Sequence, residues 1–379
     1  MTASTDKRAA GLRLERMKAS PRFEQGRFRN IHPILPELRR GAVAMPPIRE
    51  FLFGRSLRRP VAPLPALDPS DTLRRAPDSG LRATWLGHST LLIEIDGARL
   101  LTDPVWGERL SPVPFVAPRR FQPVPLAIEA LPPLDAVLIS HDHFDHLDRG
   151  SVVRLAKRGV PFITSLGVGK YLSSWGVPEA NIIELDWWET HEVSGLSITA
   201  TPSQHFSGRG TGTNATQWAS LSVRGPRSSF FFSGDTGLTT QFREIHAKLG
   251  HFDLVMLEVG AYHAAWGDIH LGPVNALTAL DWLGGGCFLP VHWGTFDLAL
   301  HAWDDPAEQL LTLAPQRGAQ MVMPKLGEVI EPVRIQHLAP KPWWRDIAVH
   351  EARVAGPLAT PDAETALEQT AASLPLPID

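Results

Sequence analysis

Ala136-Val137-Leu138-Ile139-Ser140-His141-Asp142-His143-Phe144-Asp145-His146-Leu147-Asp148 is the stretch around which the chain is organised. Its first four residues are apolar and predict a short buried strand. The positions from His141 to Asp148 then hold three histidines and three aspartates. A polar cluster at a strand end can hold several side chains on one rigid edge. His141 and His143 stand at i and i+2, so both project to the same side of an extended segment. Asp145 and His146 follow in a turn and can face a second point nearby. This pattern suits two metal ions better than one. Neutral imidazoles with carboxylates favour zinc, with iron or manganese as alternatives. The plain alternative is a solvated His-rich loop, and three imidazoles with an interleaved carboxylate argue against it.

Three other apolar runs end in the same way. Thr199-Ala200-Thr201-Pro202-Ser203-Gln204-His205 follows a strand. Phe230-Phe231-Phe232-Ser233-Gly234-Asp235-Thr236-Gly237 ends a strand with an aspartate after a glycine. Leu289-Pro290-Val291-His292-Trp293-Gly294 ends one with a histidine. A lone histidine at a strand end is more often structural than catalytic. Three such residues together with the first cluster are a far more specific signal.

His141-x-His143-x-Asp145-His146, with His205, Asp235 and His292 in that order, resembles the signature of the metallo-β-lactamase superfamily. The resemblance implies an αββα sandwich, two packed mixed sheets with helices on the outer faces, and a dinuclear metal site on one edge. It further implies that His141, His143 and His205 hold one metal, that Asp145, His146 and His292 hold the other, and that Asp235 bridges both. Gly26-Arg27-Phe28-Arg29-Asn30, Trp85-Leu86-Gly87-His88-Ser89-Thr90, Asp103-Pro104, Gln204-His205, Gly234-Asp235-Thr236-Gly237, Gly260-Ala261-Tyr262 and His292-Trp293-Gly294-Thr295-Phe296 narrow it. They are similar to the N-acyl-phosphatidylethanolamine-hydrolysing phospholipase D branch, over residues from about 26 to 338. That branch implies a phosphodiesterase acting on a lipid head-group linkage. His270 matches a histidine near the metals in the branch, although Gly272-Pro273-Val274-Asn275-Ala276 replaces the usual Pro-Glu-Glu-Ala pattern.

The 379 residues, 43% hydrophobic and 20% charged, describe an ordinary globular chain. Cys287 is its one cysteine, which excludes an internal disulfide or a cysteine metal site. Met1 to Ser20 lack the apolar core of a secretory signal, and no apolar run is long enough for a spanning helix. A cytoplasmic location is expected, with membrane association as an option. The charge is unevenly spread. Residues 1–60 carry 14 basic and 5 acidic residues, whereas the whole chain has a net charge of −3. Such a basic arm can meet an anionic membrane, or it can lie on the acidic body of its own protein. No stacked aromatics or nucleic-acid motif accompany it, so nucleic acid is not an expected partner. The expected partners are a small-molecule or lipid substrate, a peripheral membrane contact through the arm, and a second copy in a homodimer.

In chain order, residues 1–80 are expected to form a basic, Pro-rich extension, mobile up to about residue 20. Within it, Ile48-Arg49-Glu50-Phe51-Leu52-Phe53 is a short apolar piece that can pack on the core or rest at a lipid surface, with core packing the better default. A hydrolase domain spans 81–338 and a peripheral tail 339–379. Within the domain, strands are expected at 83–86, 91–95, 99–102, 136–139, 162–164, 181–185, 197–200, 218–223, 229–232, 254–258 and 287–291, with a last one near 321–323. Helices are expected at 151–157, 167–175, 242–249, 273–283 and 307–313. The Asp96-Gly97 pair marks a hairpin. The long Pro-rich loop from Ser111 to Pro125 reads as a rim over a site.

The chemistry expected of such a site is metal-assisted hydrolysis. Asp145 would act as ligand and as proton acceptor for the attacking water. His270 would donate a proton to the leaving group or position the phosphate. His88 and Gln204 are expected to orient ligands or touch substrate. The alternatives are a lactonase, or another ester or amide hydrolase, using the same metals. A non-catalytic binding protein ranks below these because no ligand is missing.

Overall fold

A computed structural model describes residues 2–34, 57–110, 117–209, 213–263, 269–335 and 339–347. A helix, Thr2–Ala19, opens the chain. It is followed by a minimal hairpin of β1 (Phe23–Glu24) and β2 (Arg27–Phe28). The first large sheet begins with β3 (Leu81–Gly87), β4 (Thr90–Ile95) and β5 (Ala98–Thr102), which pair antiparallel. The direction then changes. β6 (Ala136–Ile139), β7 (Phe162–Ser165) and β8 (Ile182–Leu185) add in parallel. The second sheet repeats the plan. β9 (Thr190–Val193), β10 (Leu196–Thr201), β11 (Ser220–Arg224) and β12 (Ser229–Phe232) are antiparallel. β13 (Leu254–Glu258) and β14 (Cys287–Val291) follow in parallel. Finally β15 (Val329–Ile330) returns to the free edge of the first sheet and pairs with β3.

Most of these strands are buried on both faces, and period-two alternation sorts their residues between two cores. In β6, Ala136 and Leu138 face the second sheet, joined by Leu91, Ile93 and Leu100 against Ile198, Ala200, Leu221, Val223 and Phe230. Val137 and Ile139 face the other way, onto Val152 and Leu155 of the helix Arg149–Ala156 and Leu172 of the helix Gly169–Ser174. The outer face of the second sheet is covered by the helices Gln241–Leu249, Gly272–Trp282 and Asp305–Gln316 through Phe242, Ile245, Ala276, Leu280 and Leu310. The layers are therefore helix, sheet, sheet, helix. No helix among the described residues is long and apolar enough to cross a membrane.

Five expectations are corrected. The first twenty residues are largely helical rather than mobile. Arg13 bonds Glu184 and Glu179, and Arg16 bonds the Glu184 carbonyl and the Glu189 side chain. The basic surplus of this helix is thus partly spent on the body of its own chain. β9 has no counterpart among the expected strands, because its exposed Thr190 and Glu192 break the apolar pattern. Met321 forms only an isolated bridge to Phe288, and the last strand lies at Val329–Ile330. The residues after 339 are not peripheral as far as they are described: Trp343 and Trp344 are buried in the main core. The boundary placed at residue 80 is crossed by contacts, since Leu64 joins the same core and Ala66 bridges Leu326. Ile48 to Phe53 lie outside the described residues, as do 111–116 of the Pro-rich loop.

Candidate metal centre

β6 delivers the histidine cluster to the edge where both sheets end. The three aspartates of the cluster part ways there. Asp148 caps the next helix, accepting from Gly150 N and Ser151 N. Asp142 turns away from the other site residues and accepts from Gly208 N at 2.8 Å and from the Tyr171 hydroxyl. Only Asp145 joins the histidines.

Two sets of donor atoms converge. In the first, His141 Nε2 and His205 Nε2 lie 2.9 and 3.3 Å from His143 Nδ1. Asp235 Oδ2 completes it, 3.8 Å from His141 Nε2 and 3.6 Å from His205 Nε2. In the second, Asp145 Oδ2 stands 3.0 Å from His88 Nε2, 3.3 Å from His292 Nε2 and 3.5 Å from His146 Nε2. Within each set the donor atoms lie within 4.8 Å of one another, a separation that could hold an ion. Asp235 spans the two sets. Its Oδ1 faces His146 Nε2 at 3.1 Å and His292 Nε2 at 3.2 Å, while Oδ2 faces the first set.

The rings are fixed from behind. His146 Nδ1 donates to Asp103 Oδ2 at 2.7 Å, and His205 Nδ1 donates to the Ile269 carbonyl at 2.8 Å. A carbonyl or carboxylate can only accept, so each of these rings keeps its lone pair on Nε2, aimed inward. Asp103 also accepts from Ser140 N and Ser140 Oγ, and that hydroxyl lies 2.9 Å from His141 Nδ1. One buried carboxylate thus orients two imidazoles. The backbone bends sharply here: His88, Asp103 and His292 all have positive φ, a strain that persists where the surroundings over-determine it. Gly234 stands where a Cβ would come within 2.5 Å of Ser140 Cβ, so a side chain there would push the β6 end out of place.

The electrostatics fit a cation. Burial alone would raise the Asp145 carboxyl, yet the nearby imidazoles override it and hold the group well below the usual carboxylate range. Asp235 behaves alike, with His146 and His292 as the opposing groups. Burial and neighbouring histidines push His141 well below the ordinary imidazole value. Burial also takes His205 well below it, although Asp235 opposes the shift. His146 goes the other way, because Asp235, Asp145 and Asp103 outweigh its burial. His146 Nε2 and Asp235 Oδ1 face each other without a directed hydrogen bond. Buried nitrogen and oxygen donors converging with no Lys or Arg among them are the donor set that a borderline divalent ion takes.

The sequence-predicted residues therefore gather at one edge. His88, expected to orient a ligand, lies 3.0 Å from Asp145 Oδ2 and within the second set of donors. Gln204 is engaged elsewhere, donating through Nε2 to the His32 carbonyl. His270 sits beside both sets, its Nδ1 4.0 Å from Asp235 Oδ2. Asp103, Ser140 and Asn30 were not singled out by sequence reasoning as site residues. Asn30 accepts from His205 N at 3.1 Å and donates to the His205 carbonyl at 2.8 Å, pinning that residue from the N-terminal segment. Asp103 carries the same signal as the others, a carboxylate directly after an apolar strand. Asn30 has no such signal, since its partner is 175 residues away.

Comparison with known proteins agrees with this geometry. The family model for the β-lactamase superfamily domain matches residues 98–293. An uncharacterized protein of Mycobacterium tuberculosis is 44% identical over 331 residues, covering 86% of this chain and 88% of its own. The N-acyl-phosphatidylethanolamine-hydrolyzing phospholipase D 1 of Caenorhabditis elegans is 34% identical over 272 residues, 67% of this chain and 76% of that protein. Among solved structures, an isothiocyanate hydrolase from Delia radicum gut bacteria superposes with a TM-score of 0.52 at 23% identity, over 66% of this chain and 98% of its own. That likeness concerns the fold alone.

Proposed function

We propose that this chain, which belongs to the metallo-β-lactamase superfamily and is a metal-dependent hydrolase, is a dinuclear phosphodiesterase of phospholipase D type acting on N-acyl-phosphatidylethanolamine-like lipids. The observation that carries the reading is Asp235, whose two oxygens face two separate groups of imidazoles. A carboxylate so placed suits a pair of cations that need negative charge between them. His141, His143 and His205 would hold one, Asp145, His146 and His292 the other, with His88 beside the second. Zinc fits the donors best, with iron or manganese as alternatives. When bound, such a pair supplies Lewis acidity, lowering the pKa of a water and offsetting charge that develops on the phosphoryl oxygens.

The chain's own residues do the rest. Asp145, kept ionised by its imidazole neighbours, takes the proton of the attacking water. His270 hands a proton to the leaving oxygen as the P–O bond breaks. Support for a lipid diester comes from the relative in Caenorhabditis elegans, whose name states that activity. The basic N-terminal region, with its surplus of Lys and Arg, would face anionic lipid with those charges that the body leaves free.

The test is a turnover panel on metal-loaded protein. Bis-p-nitrophenyl phosphate and N-acyl-phosphatidylethanolamine, the latter in vesicles with and without anionic lipid, are compared with an acyl lactone and nitrocefin. The expected result is diester hydrolysis, faster on anionic vesicles, abolished by chelator and restored at two metal ions per chain. Turnover of the lactone alone would replace the phosphodiesterase reading with a lactonase.

A further inference from the structure

His270 has two uses open to it. It lies within ion-holding distance of Asp235 and His292, so it could enter the metal set as one more ligand. Its ring stands between those of His205 and His292, with centroids 5.2 and 5.4 Å away. Its side chain keeps 12% exposure, which the fully enclosed imidazoles His141, His146 and His205 lack. Something must decide between ligand and reagent.

Glu258 is placed to decide. It is the last residue of β13, wholly buried, on a strand hydrogen-bonded on both sides. Its Oε1 lies 3.2 Å from His270 Nδ1 and accepts from Leu271 N at 2.7 Å. One carboxylate oxygen therefore fixes both the imidazole and the backbone that leads into the helix Gly272–Trp282. Nδ1 is also the nitrogen that approaches Asp235 Oδ2, at 4.0 Å. A ring nitrogen that donates its proton to a carboxylate has no lone pair left for a cation.

We propose that Glu258 is a positioning residue that holds His270 Nδ1 away from the metals and so reserves the opposite nitrogen, Nε2, for the substrate. The proposal rests on the dinuclear hydrolase reading and adds a division of labour to it. Asp235 gathers the cations, and Glu258 keeps one neighbouring imidazole out of their reach. In the reaction, the water oxygen bonds to phosphorus as Asp145 takes its proton, the bond from phosphorus to the leaving oxygen breaks, and the ring, entering with a proton on each nitrogen, passes the Nε2 proton to that oxygen and ends neutral. The ring keeps its Nδ1–H on Glu258 throughout. Glu258 itself touches neither phosphorus nor metal.

The experiment compares cobalt-loaded full-length wild type with His270→Ala, Glu258→Gln, Glu258→Leu and the double variant Glu258→Leu with His270→Ala. Visible absorption reads the ligand set independently of turnover. His270→Ala is expected to leave the wild-type spectrum in place. Glu258→Leu is expected to change it, and the double variant to return it to the wild-type form. A spectrum altered by His270→Ala alone, or unaltered by Glu258→Leu, overturns the proposal. Glu258→Gln keeps an acceptor for Leu271 N and guards against misfolding, checked by thermal melts. Turnover gives the second readout. Both His270→Ala and Glu258→Gln should lower kcat, with KM held, at least tenfold more for an alkyl leaving group than for p-nitrophenolate, which departs without a proton. Equal losses on the two substrates also overturn it. Wild-type protein that takes up fewer than two cobalt ions defeats the dinuclear reading itself, a result separable from any spectral change in the variants.

Discussion

At the scale of the residue, the site is a set of charges that protons compensate wherever cations do not. His292 shows this most clearly. Burial disfavours its charged ring, yet Asp235 and Asp145 push it up to about 10. A histidine whose folded pKa exceeds its unfolded value near 6.5 stabilises the fold fully below that value, and the benefit is lost as pH climbs toward the folded pKa. The chelator-treated protein should therefore lose melting temperature between about pH 6.5 and about pH 10. The metal-loaded protein should not, because a cation replaces the proton. Equal slopes for the two forms in that window would contradict the assignment. The candidate donors share a mark in the sequence: His141, His205, Asp235 and His292 each stand within four residues of the end of an apolar strand. His88 sits in the two-residue link between β3 and β4, where a histidine with positive φ reads as a turn, and from there it meets Asp145 at 3.0 Å. Asp103 carries the mark too, but it looked like the end of a hairpin.

At the scale of the element, the loop from His141 to Asp148 needs support that no strand gives it. Arg209 provides it. Its Nη1 donates to the carbonyls of Asp142 at 2.9 Å and Leu147 at 2.6 Å. Its guanidinium lies 3.9 Å from the Phe144 ring centre and 5.2 Å from that of Trp175. The guanidinium fork suits several carbonyls at once, which a lysine ammonium does not. Arg209→Lys should weaken metal retention by about 10–100-fold, as loss of outer support at a metal site commonly does. Competition against a chromogenic chelator measures this, and unchanged affinity would remove Arg209 from the site. Legibility at this scale followed apolar content. Strands β13 and β14 match their expected bounds because they are continuous apolar runs. The helix Thr2–Ala19 was missed because its apolar residues form no stripe; Leu12 and Leu14 are exposed. Ion pairs from Arg13 and Arg16 to the body hold it instead, and such pairing leaves no local pattern.

At the scale of the whole molecule, the two halves depend on one another. Trp85 of the first sheet stacks on Trp293, next to His292, with ring centres 5.5 Å apart. Trp343 and Trp344 pack on the same indole at 5.9 and 5.6 Å. The Trp344 Nε1–H donates to Glu308 Oε1 at 2.7 Å. Trp344→Ala should cost about 3–5 kcal/mol, the usual range for removing a buried indole. Denaturant unfolding checks it, and a loss under about 1 kcal/mol would show that the tail is dispensable. The pairing of β15 with β3 also bears on how the protein is made. Val329 meets Thr84, so the first sheet keeps an open edge until residues 329–330 have left the ribosome. His292 reaches the site at a similarly late stage. A nascent chain halted before residue 292 would present His141, His143 and His146 without their last partner, and free to scavenge ions wrongly. Long-range closure of this kind slows folding and exposes strand edges to other chains. A chaperone that shields the β3 edge would therefore be expected to raise the yield of folded protein.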